Sequence, residues 1–398
     1  MRWPLIGLGL LLFGGVAEGQ PLTEDEAVES GLDRPEVRAM LEGRLDAAAG
    51  EARAAGRWSN PELEYGRDAL SRSDGEHREQ SLWLRQRINI VGVPGLQRQA
   101  GERRQSAEAA RVEQTRAGLR ATIRTRFHEA LAAEARAKAL ADWQERLAEL
   151  SRAVARRVEA GDASRYDRLR LERELARLRG RRLEADAASA SARDHLFTLI
   201  GSEPRPLTGE LLPPALEPVR PEAIPADPEA RALAAEAEAA TMEARAASRG
   251  GWPELTIGVG RREVDEPGFS GGGGQLSLGV DLPLFDRGAA RADAEQARAR
   301  RLRGRSERRA AEHRARVREA RRTARAQRDA ATHLLEATEP DESLATMAEA
   351  AYSEGAMAVT ELIEAHNAEL STRLESISRS LAARRAHIQL HQLIGDAP

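Results

Sequence analysis

Apolar residues recur along the chain with two different periods. Leu140, Trp143, Leu147, Leu150 and Val154 follow a 3-4-3-4 spacing. Leu370, Leu374, Ile377, Leu381 and Ile388 keep the same rhythm, with Ile363 one heptad before Leu370. Such a spacing is the seam of a coiled coil. From about Pro94 to Gly161 nothing breaks a helix strongly. At ~1.5 Å rise per residue such a helix is a rod of roughly 100 Å. A rod that long buries little alone and needs partner helices.

The second period is two. Leu82, Leu84, Ile88 and Ile90 alternate with Trp83, Arg85, Arg87 and Asn89, and Leu63 and Tyr65 with Glu62, Glu64 and Gly66. Leu255, Ile257 and Val259 alternate with Thr256, Gly258 and Gly260, and Leu276 to Leu284 do so with Ser277, Gly279 and Asp281. The pattern predicts strands at about 61–67, 81–91, 253–262 and 275–285, each with one apolar face. Polar, Gly-rich segments at about Asp68–Glu79 and Glu263–Gly274 read as the linking loops. Trp58 and Trp252 each precede the first strand of a hairpin, where an aromatic girdle would sit at a membrane interface. Alternation alone fits a soluble hairpin on a helix equally well.

The two halves repeat each other. Gly355 lies 194 residues after Gly161, and Gly395 lies 194 residues after Gly201 in a second Leu-Ile-Gly. Asn60-Pro61-Glu62-Leu63 parallels Trp252-Pro253-Glu254-Leu255 at an offset of 192, and Arg34-Pro35-Glu36 parallels Asp227-Pro228-Glu229 at 193. Each half therefore reads helix, strand pair, long helix, turn at Gly, long helix. Residues 20–200 form the first repeat and 229–398 the second, with hairpin tips near 161 and 355. Between them, 201–228 is rich in proline and reads as an extended linker.

The N-terminus has the form of a secretory leader over residues 1–19. Arg2 supplies the charge, Leu5–Phe13 the apolar core, and Ala17-Glu18-Gly19 a small-x-small cleavage site. That run is too short to span a bilayer, and no later segment reaches ~20 apolar residues. If the protein enters a membrane, it does so as a β-barrel.

Composition narrows the function. Charged residues are 31% of the chain and aromatics 3%, with a net charge of −3 and both signs interspersed. This is the make-up of charge-laced long helices, and no basic face points to nucleic acid. There is no cysteine, which excludes disulfides, thiolate metal sites and lipid attachment through an N-terminal Cys. His387 and His391 are four apart on a helix but lack an evident third ligand, and the Gly271–Gly274 run reads as a loop. No catalytic constellation, cofactor site or metal site emerges, so an enzyme is not expected.

Leu22-Thr23-Glu24-Asp25-Glu26-Ala27 resembles the opening Leu-Thr-x-x-Glu-Ala of TolC-family outer membrane factors, and Thr23 with Glu26 also has capping-box spacing. Asp281-Leu-Pro-Leu-Phe-Asp-Arg-Gly288 resembles the family's segment after the last strand, in the form typical of the heavy-metal, CzcC-like branch. The resemblance covers essentially the whole mature chain. It implies a mainly α fold with a membrane β-barrel: a homotrimer whose twelve strands cross the outer membrane and whose helices form a periplasmic tunnel. The implied partners are outer-membrane lipid, a periplasmic adaptor (membrane fusion protein) and an inner-membrane pump of RND type. The implied function is the exit duct of a tripartite efflux system, with heavy-metal cations as a candidate cargo. A periplasmic coiled-coil adaptor or scaffold shares the leader and the heptads, but has one hairpin between β-rich flanks rather than two.

Tyr352-Ser353-Glu354-Gly355 and Val359-Thr360-Glu361-Leu362-Ile363-Glu364 resemble the family's second tip motif. The resemblance implies that Glu361 and Glu364 line the closed entrance, with Tyr352. In the first repeat Asp167 occupies the slot of Glu361, and Arg170 that of Glu364. Met357 stands where the family often has a locking basic residue, which leaves Arg165 or Arg170 to substitute. Gly161, Asp162, Arg165, Gly355, Val359 and Thr360 fall at the tips where an adaptor docks.

Overall fold

The computed structural model describes residues 20–73, 75–216, 225–336 and 343–395. The leader expected at 1–19 lies outside them. Eight helices and four strands are present among the described residues. They are α1 (Glu24–Leu32), α2 (Pro35–Ala54), β1 (Glu62–Arg72), β2 (Gly75–Ile88), α3 (Val93–Ala160) and α4 (Arg165–Ile200). After the linker follow α5 (Pro228–Arg249), β3 (Glu254–Glu266), β4 (Phe269–Asp281), α6 (Ala289–Glu336), α7 (Leu344–Ser353) and α8 (Val359–Ile394). No described helix is long and apolar enough to cross a membrane.

The chain divides into two units. The first comprises Met1–Arg34, Arg120–Glu217 and Ala320–Leu390. Its core is the predicted heptad seam: Leu140, Trp143, Leu147 and Val154 of α3 pack with Leu171, Leu175 and Leu178 of α4 and with Ile363 and Leu370 of α8. A second cluster joins Leu22, Ala27 and Val28 to Ile123, Phe127, Leu196 and Phe197. Here α1 begins with the expected capping box, Glu26 N–H donating to Thr23 Oγ1 (3.3 Å) and Thr23 N–H to Glu26 Oε2 (3.0 Å).

The linker is strapped down in this unit. Leu22 N–H donates to the Pro206 carbonyl (2.7 Å), and Thr208 N–H to the Leu22 carbonyl (3.0 Å). The Arg384 guanidinium donates to the carbonyls of Glu210, Leu211 and Leu212 at 2.6, 3.2 and 2.9 Å. Proline-rich backbone offers carbonyls but few N–H groups, and a guanidinium supplies several donors at once.

The second unit comprises Pro35–Leu119, Pro218–Glu319 and His391–Pro398. It contains the sheet, antiparallel throughout in the order β1-β2-β3-β4. Small residues let its helices approach: Ala107 and Ala110 of α3 meet Ala232 of α5, and Leu233, Ala237 and Ala240 of α5 meet Ala299 and Leu302 of α6.

Three sequence expectations are corrected. The segments read as loops, Asp68–Glu79 and Glu263–Gly274, are largely strand, because β1 runs on to Arg72, β2 starts at Gly75, β3 ends at Glu266 and β4 starts at Phe269. Ladder hydrogen bonds satisfy the backbone whichever side chains flank it, so loss of apolar alternation did not mark the strand ends. The Gly271–Gly274 run lies within β4, Gly271 facing Val264 and Gly274 facing Arg261. Ile90, Leu282 and Leu284 fall beyond the strands; Pro283 has no N–H for the ladder. The ascending helix of the second hairpin is not one piece: α6 ends at Glu336 and α7 begins at Leu344. Pro340 lies between, outside the described residues.

Candidate functional site

The helix tips are built twice by the same local chemistry. At the end of α3, Gly161 takes φ 87°, Gly161 N–H donates to the Val158 carbonyl (3.2 Å) and Asp162 N–H to the Arg157 carbonyl (2.8 Å). At the end of α7, Gly355 takes φ 78°, Gly355 N–H donates to the Tyr352 carbonyl (3.1 Å) and Ala356 N–H to the Ala351 carbonyl (2.9 Å). Both are Schellman motifs, whose left-handed residue is glycine because a Cβ opposes that conformation.

The helices that leave the tips start on carboxylates. Asp167 N–H donates to Ser164 Oγ (3.1 Å) and Ser164 N–H to Asp167 Oδ2 (3.4 Å), a complete capping box on α4. On α8 Ala358 has no side chain to match Ser164, yet Glu361 Oε2 still accepts from Ala358 N–H (3.2 Å). Asp167 and Glu361 thus share a structural task as well as a slot in the repeat. The signal was present in the sequence as Ser164-x-x-Asp167, a capping spacing.

The two tips meet within the first unit. Arg157, from α3, stacks on the Tyr352 ring at 5.3 Å. Burial raises the Tyr352 phenol above its ordinary value; Arg157 opposes the shift and Asp167 adds to it. Glu364 and Arg170, which occupy equivalent slots, line one groove of about 350 Å³ with Tyr166, Arg173 and Glu174. Asn367 crosses it to donate to Glu174 (3.3 Å), and Arg170 donates to the Tyr166 hydroxyl (3.3 Å). Glu361, Glu364, Gly161, Asp162, Arg165 and Gly355 are exposed, Thr360 is half-buried, and Val359 is buried in the core of the tip. Val359 therefore shapes the tip from inside. Sequence reasoning missed Tyr166, Glu174 and Asn367, whose roles exist only through the packing of α4 against α8.

The other surface of note is the sheet. Register places Leu63, Leu84, Val259 and Leu276 side by side across all four strands. Tyr65 sits beside Leu82, Ile257 beside Leu278, and Leu255 beside Ile88 and Val280 on the same face. Most of this band is exposed, Leu276 by 78% and Leu63 by 70%, with Ile88 and Leu255 half-buried. The opposite face carries Glu64, Arg85, Thr256 and Ser277, with Arg85 paired to Glu64. From Ile88 to Leu82 the band spans about 20 Å at ~3.3 Å per residue. An exposed apolar belt of that height on one face of a sheet is what a membrane stave presents to lipid.

Residues 219–396 match the model of the family described as outer membrane efflux protein. These residues are the second repeat, and the first repeat has the same build. That match covers under half of the chain; the fold of the whole is that of TolC-like outer membrane channels. The fold agrees across 94% of the chain with CusC, described in terms of folding and transmembrane channel formation, at TM-score 0.79 and 14% identity over 92% of that chain. It agrees likewise with the outer membrane protein VceC of Vibrio cholerae, at TM-score 0.76 and 15% identity over 96% of that chain. The MtrE outer membrane channel of Neisseria gonorrhoeae gives TM-score 0.73 and 15% identity over 88% of its length. No curated protein matches the sequence.

Proposed function

We propose that this is an efflux channel: three copies of the chain close a twelve-stranded barrel and continue as a helical duct into the periplasm. A periplasmic adaptor meets the tips around Gly161 and Gly355, and an inner-membrane pump of RND type delivers the cargo. Heavy-metal cations are the proposed cargo, on the strength of the segment Asp281–Gly288. The exposed carboxylates Glu361 and Glu364 form the entrance, where repetition about a three-fold axis concentrates negative charge and draws in cations. The observation that carries this reading is the one-faced apolar belt, joined by α3 and α6 to hairpins with matched glycine tips. The test is chemical crosslinking of the protein extracted in detergent from the outer-membrane fraction. Trimers are expected there, and a monomer that stays in solution without detergent sinks the reading.

A further inference from the structure

We infer that the buried cluster of His128, Glu24, Arg124 and Arg384 is a proton-operated latch on the linker. It holds the strap 206–212 closed while His128 is neutral, and releases it when His128 takes up a second ring proton. The latch lies within one unit of one chain and is independent of the number of copies in the channel.

The strap is held at two places that meet in this cluster. Leu22 binds it through Pro206 and Thr208, and packs in one cluster with Phe127 and Leu207. Gly209 lies on the Phe127 ring, where an added Cβ would come to 3.4 Å. Two residues after Leu22 stands Glu24, at the start of α1. Its carboxylate faces His128 Nε2 on α3 at 3.0 Å and Arg124 Nε at 3.1 Å. His128 follows Phe127 in the chain and is 1% exposed. The other holder is Arg384 of α8, on the carbonyls of Glu210, Leu211 and Leu212. It lies within electrostatic reach of both Glu24 and His128.

The cluster is balanced for a neutral imidazole. With Nε2–H donating to Glu24, the buried Nδ1 has no partner. A bare ring nitrogen is tolerated there, but a second N–H would be a buried donor without an acceptor, which costs far more. The charged groups facing the ring are Glu24 from α1, Arg124 from its own helix and Arg384 from α8, with Glu210 of the strap beside Arg384. At the ring one carboxylate therefore faces two guanidiniums, and charging the imidazole sets it against three cations. Burial pushes the pKa of His128 below the ordinary value; Glu24 opposes the fall, and Arg384 and Arg124 add to it.

Arg384 is the member that gives way. Arg124 and the charged ring each sit on the Glu24 carboxylate, whereas Arg384 is held by neutral carbonyls. The coupling is reciprocal: Arg384 makes the proton harder to bind, so the bound proton makes Arg384 harder to keep. Release of the strap lets water reach the ring and restores its ordinary affinity, near 6.5. The open form then binds the proton better than the closed form, and acid favours opening. The strap is closed above about pH 6.5 and opens progressively below it, and the effect levels off once the closed form is protonated too. Opening detaches the linker from α8, the helix that starts at the second tip with Val359. Buried histidines that switch a contact in mild acid work by this route.

Amide hydrogen exchange read by mass spectrometry tests the latch in the full chain purified in detergent. Between about pH 7.5 and about pH 5.5, with the intrinsic pH dependence of exchange divided out, the amides of 207–212 are expected to lose protection by up to about tenfold per pH unit below ~6.5. The amides of Leu140–Val154 in the core of α3 are the internal reference. His128→Gln keeps a neutral donor towards Glu24 and cannot take up the proton, so its strap is expected to stay protected throughout. Arg384→Gln removes the hold on the carbonyls, so its strap is expected to exchange fast at both ends of the range, with no further response to acid. This second variant leaves His128 in place and decides the matter if His128→Gln fails to fold. Equal strap protection in the wild type at both ends of the range overturns the proposal. So does an acid response that survives in His128→Gln, or one matched fold for fold by Leu140–Val154, which marks loosening of the whole chain. A strap as well protected in Arg384→Gln as in the wild type at neutral pH overturns it too.

Discussion

Glu361 caps α8 and is proposed to line the entrance, and a substitution must be chosen to divide the two roles. Its carboxylate accepts from Ala358 N–H at the start of α8, and it is exposed beside the turn at Gly355. Glu361→Ala removes both the cap and the charge, and loss of such a cap alone costs about 1 kcal/mol of helix stability. Glu361→Gln keeps an acceptor for the N–H and removes only the charge. The double change Glu361→Gln, Glu364→Gln is therefore expected to fold normally and to weaken block by trivalent cations from the periplasmic side at least tenfold, or ~1.4 kcal/mol. Single-channel recording checks this, and unchanged block would show that the two carboxylates do not line the entrance. His366 makes a second residue-scale case. It is 2% exposed, packs against Trp143 with the ring centroids 4.6 Å apart and the planes tilted by 59°, and faces Glu349 at 3.1 Å. Burial pushes its pKa below the ordinary value, against Glu349 and Glu369, with Arg146 adding to the fall. The folded chain thus binds the proton less readily than the unfolded chain. Stability is full above the ordinary histidine value of about 6.5 and declines as pH drops through the lower folded value. Thermal melts followed by Trp fluorescence are expected to show a falling midpoint below about pH 6.5, with a smaller slope in His366→Gln. Identical slopes would remove His366 as a cause.

At the scale of elements, the sheet makes the sharpest demand. Leu84 and Leu278 lie on the apolar face, while Arg85 lies on the other and pairs with Glu64. A charge on the lipid face costs roughly 2–4 kcal/mol near the midplane, whereas an exposed cross-strand ion pair is worth under about 1 kcal/mol. Leu84→Arg or Leu278→Arg is expected to cut the yield of assembled protein in the outer membrane, and Arg85→Ala to leave it near wild type. Equal yields for the two kinds of change would mean that these strands are not staves. This contrast was legible in the sequence, because a period of two assigns each residue to a face without any knowledge of partners. The heptad from Leu140 to Val154 was legible for the same reason. What the sequence hid were features that depend on partners or on backbone alone. The polar ends of β1 and β3 are held by ladder hydrogen bonds that no side-chain pattern reports. The strap of Arg384 over Glu210–Leu212 joins residues more than 170 apart. The start of α7 is held by Glu369, whose carboxylate accepts from Ser343 Oγ (2.5 Å) and Ala345 N–H (2.9 Å), again a long-range pairing.

At the scale of the whole molecule, the belt decides where the chain can fold. Leu63, Leu82, Leu84, Val259, Leu276, Leu278 and Val280 are each 45% exposed or more in the single chain. Fully burying one such side chain is worth about 1.5–3 kcal/mol, and an entire domain is stable by only about 5–15 kcal/mol. Several of these side chains left in water therefore rival the whole margin of folding. The seam of α3, α4 and α8 does not share that burden, because it is covered within the chain. Refolding from urea without detergent is thus expected to recover helical circular dichroism but to leave the protein aggregating through the belt. Refolding into detergent micelles is expected to give a discrete species of three chains, because a micelle covers the belt and the open edges of β1 and β4 can then find each other. Ultracentrifugation of the two preparations reads the result directly. A discrete, soluble, monomeric species in plain buffer would mean that the belt is covered by something within the chain, and the placement of the sheet in the outer membrane would have to be given up.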